Sequence, residues 1–140
     1  MATELDGGCL CGGIRYHIAY EPHHTGHCHC TMCRRASGAP VVTWMTLAEK
    51  NFALTKGSPT WYRSSDHGRR AFCPTCGTAL LFTSTRYAGS VDVTAGSLDH
   101  PGRVTPDRHV YEPDRIAWVI MNDGLPRHVG DSHSPLVEGR

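Results

Sequence analysis

Apolar and polar residues alternate in short stretches along most of this chain. In GGIRYHIAY (residues 12–20), Ile14, Tyr16, Ile18 and Tyr20 fall on one face of an extended strand. PVVTWMT (40–46) is β-branched and aromatic, as strands are. Further segments have the same strand-like character: FALT, TWYRS, RRAFC, TALLFTS and SVDVTAG. Turn sequences such as KGSP, SDHG and HPGR separate them. The pattern predicts a mainly β fold built from short antiparallel strands.

Helical signals are weak by comparison. TMCRRAS after Cys30 and LAEKN near residue 50 predict short turns, and DRIAWVIMND (114–123) fits either a strand or a short helix. The length of 140 residues suits one domain, 1–140, with a single modest core. We expect the folded core to run from about residue 7 to about residue 130, with residues 131–140 as a flexible polar tail.

The charge balance excludes several classes of partner. The chain carries 14 Lys+Arg against 13 Asp+Glu, so it has little non-specific attraction to nucleic acid or to an anionic membrane. Its longest apolar run, IAWVIM (116–121), is too short to span a bilayer. The N-terminus lacks the basic and apolar regions of a signal peptide. We therefore expect a cytoplasmic protein, and a homo-oligomer is compatible with the sequence.

The cysteine content changes this picture, because seven cysteines are many for a reducing compartment and an odd number cannot all form disulfides. Two pairs, Cys9-Leu-Cys11 and Cys73-Pro-Thr-Cys76, fit the ligand pattern of zinc sites. A redox C-x-x-C would begin a helix in a βαβ unit, whereas Cys73 follows one strand-like segment and precedes another. We expect these four cysteines to form one structural, four-thiolate zinc site.

The remaining cysteines lie close together in the stretch HCHCTMC, at Cys28, Cys30 and Cys33. Catalytic zinc sites use three protein ligands and keep a fourth position for water or substrate, so this group fits a second zinc site with an open fourth position. Two alternatives stay open: a histidine closes the site, or the thiols hold no metal. The histidines considered for closure are His27, His29, His67, His100 and His109.

Polar and aromatic residues around these cysteines have two interpretations each. Arg34 and Arg35 follow Cys33 directly and would either bind a substrate carboxylate or lie on a solvated turn. Trp44, Trp61 and Tyr62 would either line a substrate site or pack within their strands.

The motifs occur in the order GGCLCGGIRY, CHCTMCRRASGAP, RRAFCPTCGTAL, VDVTAGSLDHP and PDRHVY. This order resembles the glutathione-dependent formaldehyde-activating enzyme family, which includes centromere protein V, and the resemblance runs from about Gly7 to about His128. It implies a tent-like, zinc-ribbon-related β domain with the same division into a structural zinc and a catalytic zinc. It also implies a carbon–sulfur lyase that uses glutathione as co-substrate and joins it to formaldehyde.

The expected partners are therefore a small-molecule thiol and an aldehyde. Other functions stay open at this point. The chain could act on another thiol–aldehyde adduct, serve as a zinc-stabilised protein-binding module without catalysis, or use the three-cysteine group as a redox or metal sensor.

Overall fold

Two β-sheets hold most of the regular structure in residues 4–138, the part of the chain that this computed structural model describes. The prediction of a mainly β fold is confirmed. The strands are β1 (Leu5–Gly8), β2 (Arg15–Ile18), β3 (His24–Cys28), β4 (Val42–Ala48), β5 (Phe52–Lys56), β6 (Thr60–Arg63), β7 (Gly68–Phe72), β8 (Ala79–Ser84), β9 (Ser90–Thr94) and β10 (Arg108–Val110). The α-helix is α1 (Thr31–Ser37), and several single 3₁₀ turns connect the strands. Within the described range, no helix has both the length and the hydrophobicity that crossing a membrane requires.

The smaller sheet has the order β1-β2-β5, and the larger has the order β10-β3-β4-β9-β8-β7-β6. Its pairs are antiparallel except for β10 with β3, which run parallel. The alternation pattern predicts β2 and β4 to β9 but not β1, β3 or β10. These three are short, and β3 (HTGHC) carries two histidines and a glycine, so its extended form depends on pairing with β4 and β10.

The two faces of the large sheet have different surroundings, because successive residues of a strand point to opposite sides. On β4, Met45 and Leu47 lie in the main hydrophobic core. Their neighbours Trp44 and Thr46 face the other side of the sheet, where a large cavity lies. The same alternation puts other strand residues on the cavity side: Arg70, Phe82 and Asp92. We call this side the cavity face.

Segment 114–123 forms neither a strand nor an α-helix, so neither alternative for DRIAWVIMND is correct. The Arg115 guanidinium donates hydrogen bonds to three backbone carbonyls of this segment, including that of Val119 at 2.8 Å. A side chain therefore satisfies carbonyl groups that a sheet would otherwise pair.

Residues 131–138, where the sequence predicts a flexible tail, are hydrogen-bonded to the body of the domain. The N–H of Val129 donates to the carbonyl of Pro135 at 2.9 Å, and the N–H of Val137 donates to the carbonyl of Arg127 at 2.8 Å. Asp131 also accepts a hydrogen bond from the Tyr87 hydroxyl. The last two residues, 139–140, lie outside the described range.

Candidate metal centres and the adjoining cavity

The two cysteine pairs assigned to a structural site lie together. We call them the four-cysteine group: their sulfur atoms are all within 4.8 Å of one another, and the four residues are Cys9, Cys11, Cys73 and Cys76. The Sγ atoms of Cys9 and Cys11 are 3.6 Å apart, and those of Cys11 and Cys73 are 3.8 Å apart. Sulfurs at the corners of a tetrahedron about 2.3 Å from zinc are about 3.8 Å apart. Since all four are free thiols, their spacing fits a four-thiolate zinc site.

Backbone N–H groups surround these sulfurs. The Ile14 N–H lies 3.2 Å from the Cys9 sulfur, and the Cys76 N–H lies 3.4 Å from the Cys73 sulfur. Gly77 follows with φ of 79°, a conformation that glycine adopts at little cost, and it lets the turn close around the thiols. Such donors stabilise thiolates and orient them toward a metal. The C-x-x-C segment begins no helix, so the context of a redox pair is missing.

The second group, which we call the cysteine trio, consists of Cys28, Cys30 and Cys33. Cys28 is the last residue of β3, Cys30 caps the N-terminus of α1, and Cys33 lies in the first turn of that helix. The three sulfurs are within 4.8 Å of one another, with Cys28 and Cys33 at 3.6 Å. The Cys33 N–H also lies 3.2 Å from the Cys30 sulfur. The spacing fits three corners of a tetrahedral zinc site.

Hydrogen bonds among the three thiols make their pKa values differ. The pKa of Cys28 is raised, first because its sulfur is hydrogen-bonded to the other two. The pKa of Cys33 is lowered to about 2 because its sulfur accepts hydrogen bonds from Cys28 and Cys30, and the nearby Arg70 lowers it further. Hydrogen bonding within the trio and the nearby Arg70 therefore both favour the thiolate form of Cys33.

No histidine or carboxylate within residues 4–138 joins the trio as a fourth ligand. His29, although it lies between two cysteines in sequence, turns away from them. Its Nε2 lies 2.8 Å from Nδ1 of His109, and its ring is completely buried. His27 is hydrogen-bonded to Thr43 at 2.8 Å instead.

The remaining candidates, His67 and His100, are not ligands of the trio either, although His67 lines the same large cavity as the three cysteines. His67 is exposed and its Nδ1 lies 2.9 Å from the Thr85 hydroxyl. His100 is exposed and lies just before the 3₁₀ turn Pro101–Arg103. The geometry therefore leaves the trio with three protein ligands.

A buried polar network lies behind the trio. His109 connects His29 to Asp123, whose carboxylate is 2.7 Å from Nε2 of His109. Glu112 is 3.7 Å from His29 and is paired with two arginines, Arg115 at 3.1 Å and Arg127 at 3.0 Å. We refer below to these six residues as the His109 network.

Three members of this network, His29, His109 and Glu112, also have ligand atoms within 4.8 Å of one another. Two guanidinium groups already neutralise the Glu112 carboxylate, and the two histidines already bond to each other. The charges of the network are thus paired without a cation, and its one buried polar atom left without a hydrogen-bond partner within residues 4–138 is Nδ1 of His29. Burial lowers the pKa of His29 to about 4, which keeps its ring neutral near pH 7. We assign the network a structural role in holding the loop that carries Cys28 and Cys30.

A cavity of about 810 Å³ opens beside the trio and extends over the cavity face of the large sheet. All three thiols line it, together with aromatic side chains that include Trp44 and Phe82. The arginines that line the cavity are not the two that the sequence suggests. Arg34 and Arg35 do not line the cavity, and neither do Trp61 and Tyr62. The arginines that do line it are Arg70, Arg86 and Arg108.

Two charged residues of the cavity face are held by side-chain contacts. One guanidinium nitrogen of Arg70 lies 3.5 Å from the Cys33 sulfur, and the guanidinium carbon lies 5.0 Å from the centre of the Phe82 ring. Asp92 accepts a hydrogen bond of 2.6 Å from the Thr46 hydroxyl. Burial raises the pKa of Asp92 to about 6. No local motif in the sequence marks either residue.

The family model described as glutathione-dependent formaldehyde-activating enzyme matches residues 4–114. The chain belongs to this family. The matched range contains all seven cysteines and ends before Arg115, so Asp123 and Arg127 of the His109 network lie beyond it.

A crystal structure of a Rhodobacter sphaeroides protein, a structural genomics target, shares the fold. It is 21% identical, covers 67% of this chain and 87% of its own, and has a TM-score of 0.57. No curated protein matches the chain significantly. Family membership therefore comes from the family-model match over residues 4–114, and the solved structure supports the fold.

Proposed function

We propose that this protein is a zinc-dependent carbon–sulfur lyase that joins a thiol, glutathione in the first instance, to formaldehyde or another small aldehyde. The observation that carries the proposal is the cysteine trio. Its three sulfurs have zinc-ligand spacing, include no fourth protein ligand within residues 4–138, and line a cavity of about 810 Å³. A site of this kind is built to receive an external ligand, whereas the four-cysteine group is complete by itself.

Two zinc ions per chain are proposed, one in each cysteine group. A zinc ion on the trio would supply a fourth position for a thiolate sulfur and would keep that sulfur deprotonated near pH 7, where a free thiol of pKa about 8.5 is mostly protonated. The protein's own residues hold the ligand set in place: β3 fixes Cys28, and α1 fixes Cys30 and Cys33. A reduced cytoplasm, which we propose as the location, keeps these thiols free.

The cavity offers charges of both signs to the body of the thiol. Glutathione has two carboxylates and one ammonium group. Arg86 and Arg108 supply cations, and Asp92 supplies an anion above its pKa of about 6. On β4, Val42 is paired with Cys28, and Thr46, the partner of Asp92, lies four residues further on. That distance is about 13 Å at about 3.3 Å per residue, comparable to the length of a tripeptide.

The proposed reaction is an addition. The thiol sulfur forms a bond to the carbonyl carbon of the aldehyde, and the π electron pair of the carbonyl moves to its oxygen. The proton that the thiol gives up ends on that oxygen, so thiol and aldehyde are the only reactants and the hydroxymethyl thioether is the only product. The residues lining the cavity contribute by holding both reactants beside the trio.

Magnetisation-exchange NMR with glutathione and ¹³C-formaldehyde tests this function, because it measures the rate of adduct formation at equilibrium. We expect the zinc-loaded protein to increase that rate above the spontaneous one, and a Cys30→Ser variant to leave it at the spontaneous rate. An unchanged rate with fully loaded wild-type protein, for formaldehyde and for larger aldehydes, contradicts the proposal.

A protein-binding module is the second candidate, because the chain exposes two large apolar side chains close together in sequence. Trp118 is 70% exposed and Ile120 is 73% exposed. Binding without catalysis would make the function depend on these two residues and not on the trio. Replacing both with serine is expected to leave the adduct-formation rate unchanged if the enzyme proposal is correct.

A further inference from the structure

Arg70 lies in hydrogen-bond contact with the cysteine trio, although it is far from it in sequence. It is in the middle of β7, directly opposite Phe82 on β8, and its guanidinium group packs over the Phe82 ring. From there one of its terminal nitrogens reaches within 3.5 Å of the Cys33 sulfur. Its buried Nε has no hydrogen-bond acceptor within residues 4–138, so the group retains a donor for a further partner.

The charge of a loaded trio explains why a fixed cation is needed there. A divalent ion with three thiolates has a net charge of −1, and a fourth thiolate makes it −2. Cys28 and Cys33 are buried, so water screens this charge poorly. A neutral fourth ligand such as imidazole leaves the charge at −1. Without a compensating cation, a metal-loaded trio would therefore favour a neutral ligand over the thiolate that the proposed function requires.

We infer that Arg70 is a positioning residue that compensates the charge of the trio, so that an anionic sulfur ligand can complete the shell of the metal held there. This inference rests on the proposed function. A guanidinium group stays charged at every physiological pH, and its planar shape lets it pack on Phe82 while one edge faces Cys33.

Two other arginines are placed differently. Arg108 lines the cavity but is held by Asp107 at 2.7 Å and not by a thiol of the trio. Arg69, next to Arg70, points away and packs over Trp61 at 5.1 Å. Arg69 is exposed and does not line the cavity, which makes it the matched control.

Ligand binding to the Co²⁺-substituted protein tests the inference without measuring activity. The absorption bands of Co²⁺ at the trio change when a fourth ligand binds, whereas a four-thiolate site stays unchanged. The two probes are 2-mercaptoethanol, which has no carboxylate and binds as a thiolate, and imidazole, which binds as a neutral ligand. The proteins compared are wild type, Arg70→Met, Arg70→Lys and Arg69→Met.

We expect Arg70→Met to weaken 2-mercaptoethanol binding by about tenfold or more while imidazole affinity changes by less than about threefold. Arg70→Lys keeps the charge and is expected to stay within about threefold of wild type for both probes. Arg69→Met is expected to behave as wild type. If Arg70→Met loses the second metal ion altogether while Arg70→Lys keeps it, charge compensation is also supported.

Several results would overturn the inference. These are equal binding of 2-mercaptoethanol to wild type and Arg70→Met, equal losses for both probes, an equal effect in Arg69→Met, or loss of the second metal in Arg70→Lys as well. If loaded wild type binds no thiol at all, the proposed function fails and the inference fails with it. If wild type and Arg70→Met bind thiol equally well, only the inference fails.

Discussion

The four-cysteine group and the cysteine trio have the same ligand chemistry but different surroundings. Backbone N–H groups of tight turns surround the first, and one of its members, Cys11, is exposed. The second lies in a small apolar cluster beside a cavity, with the Arg70 side chain on one side and the His109 network behind it. The comparison shows that ligand number and neighbouring side chains, rather than the ligating atoms, separate a structural site from a candidate catalytic one.

The two groups also differ in what they connect. The four-cysteine group joins residues near the chain start to a turn more than sixty residues later, between β7 and β8. The trio spans six residues, Cys28 to Cys33, and connects β3 to α1. A metal that closes a long loop contributes to the stability of the whole fold, whereas one that closes a short loop contributes little.

The largest effect is expected for Cys73→Ser. This change removes a ligand of the four-cysteine group, and metal-binding free energies of about 10 kcal/mol are comparable to the whole stability of a small domain. We expect loss of the fold, seen as a collapsed near-ultraviolet circular dichroism spectrum together with loss of zinc by mass spectrometry. A Cys73→Ser protein that stays folded and holds one zinc would show that the fold does not depend on the four-cysteine group.

Cys30→Ser is the matched change in the trio. We expect it to lower the zinc content from two ions per chain to one and to abolish adduct formation, while the melting temperature falls by only a few degrees. The reason is that the trio closes a short loop and the core of the two sheets does not depend on it. Unfolding as severe as that of Cys73→Ser would instead make the trio a second structural site.

The sequence alone predicts how the seven cysteines divide into two groups, because spacing within a short segment determines which thiols can lie together. It also predicts most strands, since residues such as Ile14, Tyr16 and Ile18 alternate with polar neighbours and are buried as expected. What it does not predict is the neighbourhood of the trio. Arg70 contacts Cys33 across 37 positions, through the pairing of separate strands.

Two further features of the site are not predicted, for the same reason. Arg34 and Arg35 are adjacent to the trio in sequence, yet the direction of α1 leaves them outside the cavity. Asp123 reaches His109 from a segment with no regular structure, so no periodicity marks it. The register between distant strands and the path of irregular segments are set by tertiary packing, which local patterns do not contain.

A third prediction concerns the His109 network. In His109→Ala, the hydrogen bonds to His29 and Asp123 are lost; Asp123 is exposed to solvent, but His29 stays buried and loses its hydrogen bond, and a cavity replaces the buried imidazole of His109. We expect the free energy of unfolding to fall by about 2–4 kcal/mol. We also expect the metal affinity of the trio to fall by about 10–100-fold, because His29 lies between two ligands, while the four-cysteine group keeps its affinity.

Stepwise removal of zinc with a chelator measures the two affinities separately. His17→Ala is the matched control, since His17 is partly exposed and pairs with Asp6 at the edge of the smaller sheet. If His109→Ala weakens both metal groups equally, the network supports the whole fold and has no special connection with the trio.

The smallest effect is expected for Asp92→Asn, and it depends on pH. Because burial raises the pKa of Asp92 from 3.8 to about 6, the folded state favours the neutral carboxyl. The stability associated with this group is therefore fully present below about pH 4 and is lost as pH rises through 6. Asparagine stays neutral, so Asp92→Asn is expected to stabilise the protein by about 1–3 kcal/mol at pH 8 and by much less at about pH 4.

Thermal melts of zinc-loaded protein at the two pH values measure this difference, with Asp66→Asn as the exposed control. If the stabilisation by Asp92→Asn is the same at both pH values, Asp92 is charged in the folded protein at both. The cavity beside the trio would then be as well solvated as the protein surface near the four-cysteine group. A gain confined to pH 8 would show that the cavity beside the trio disfavours a negative charge, and in such an environment a compensating cation matters most.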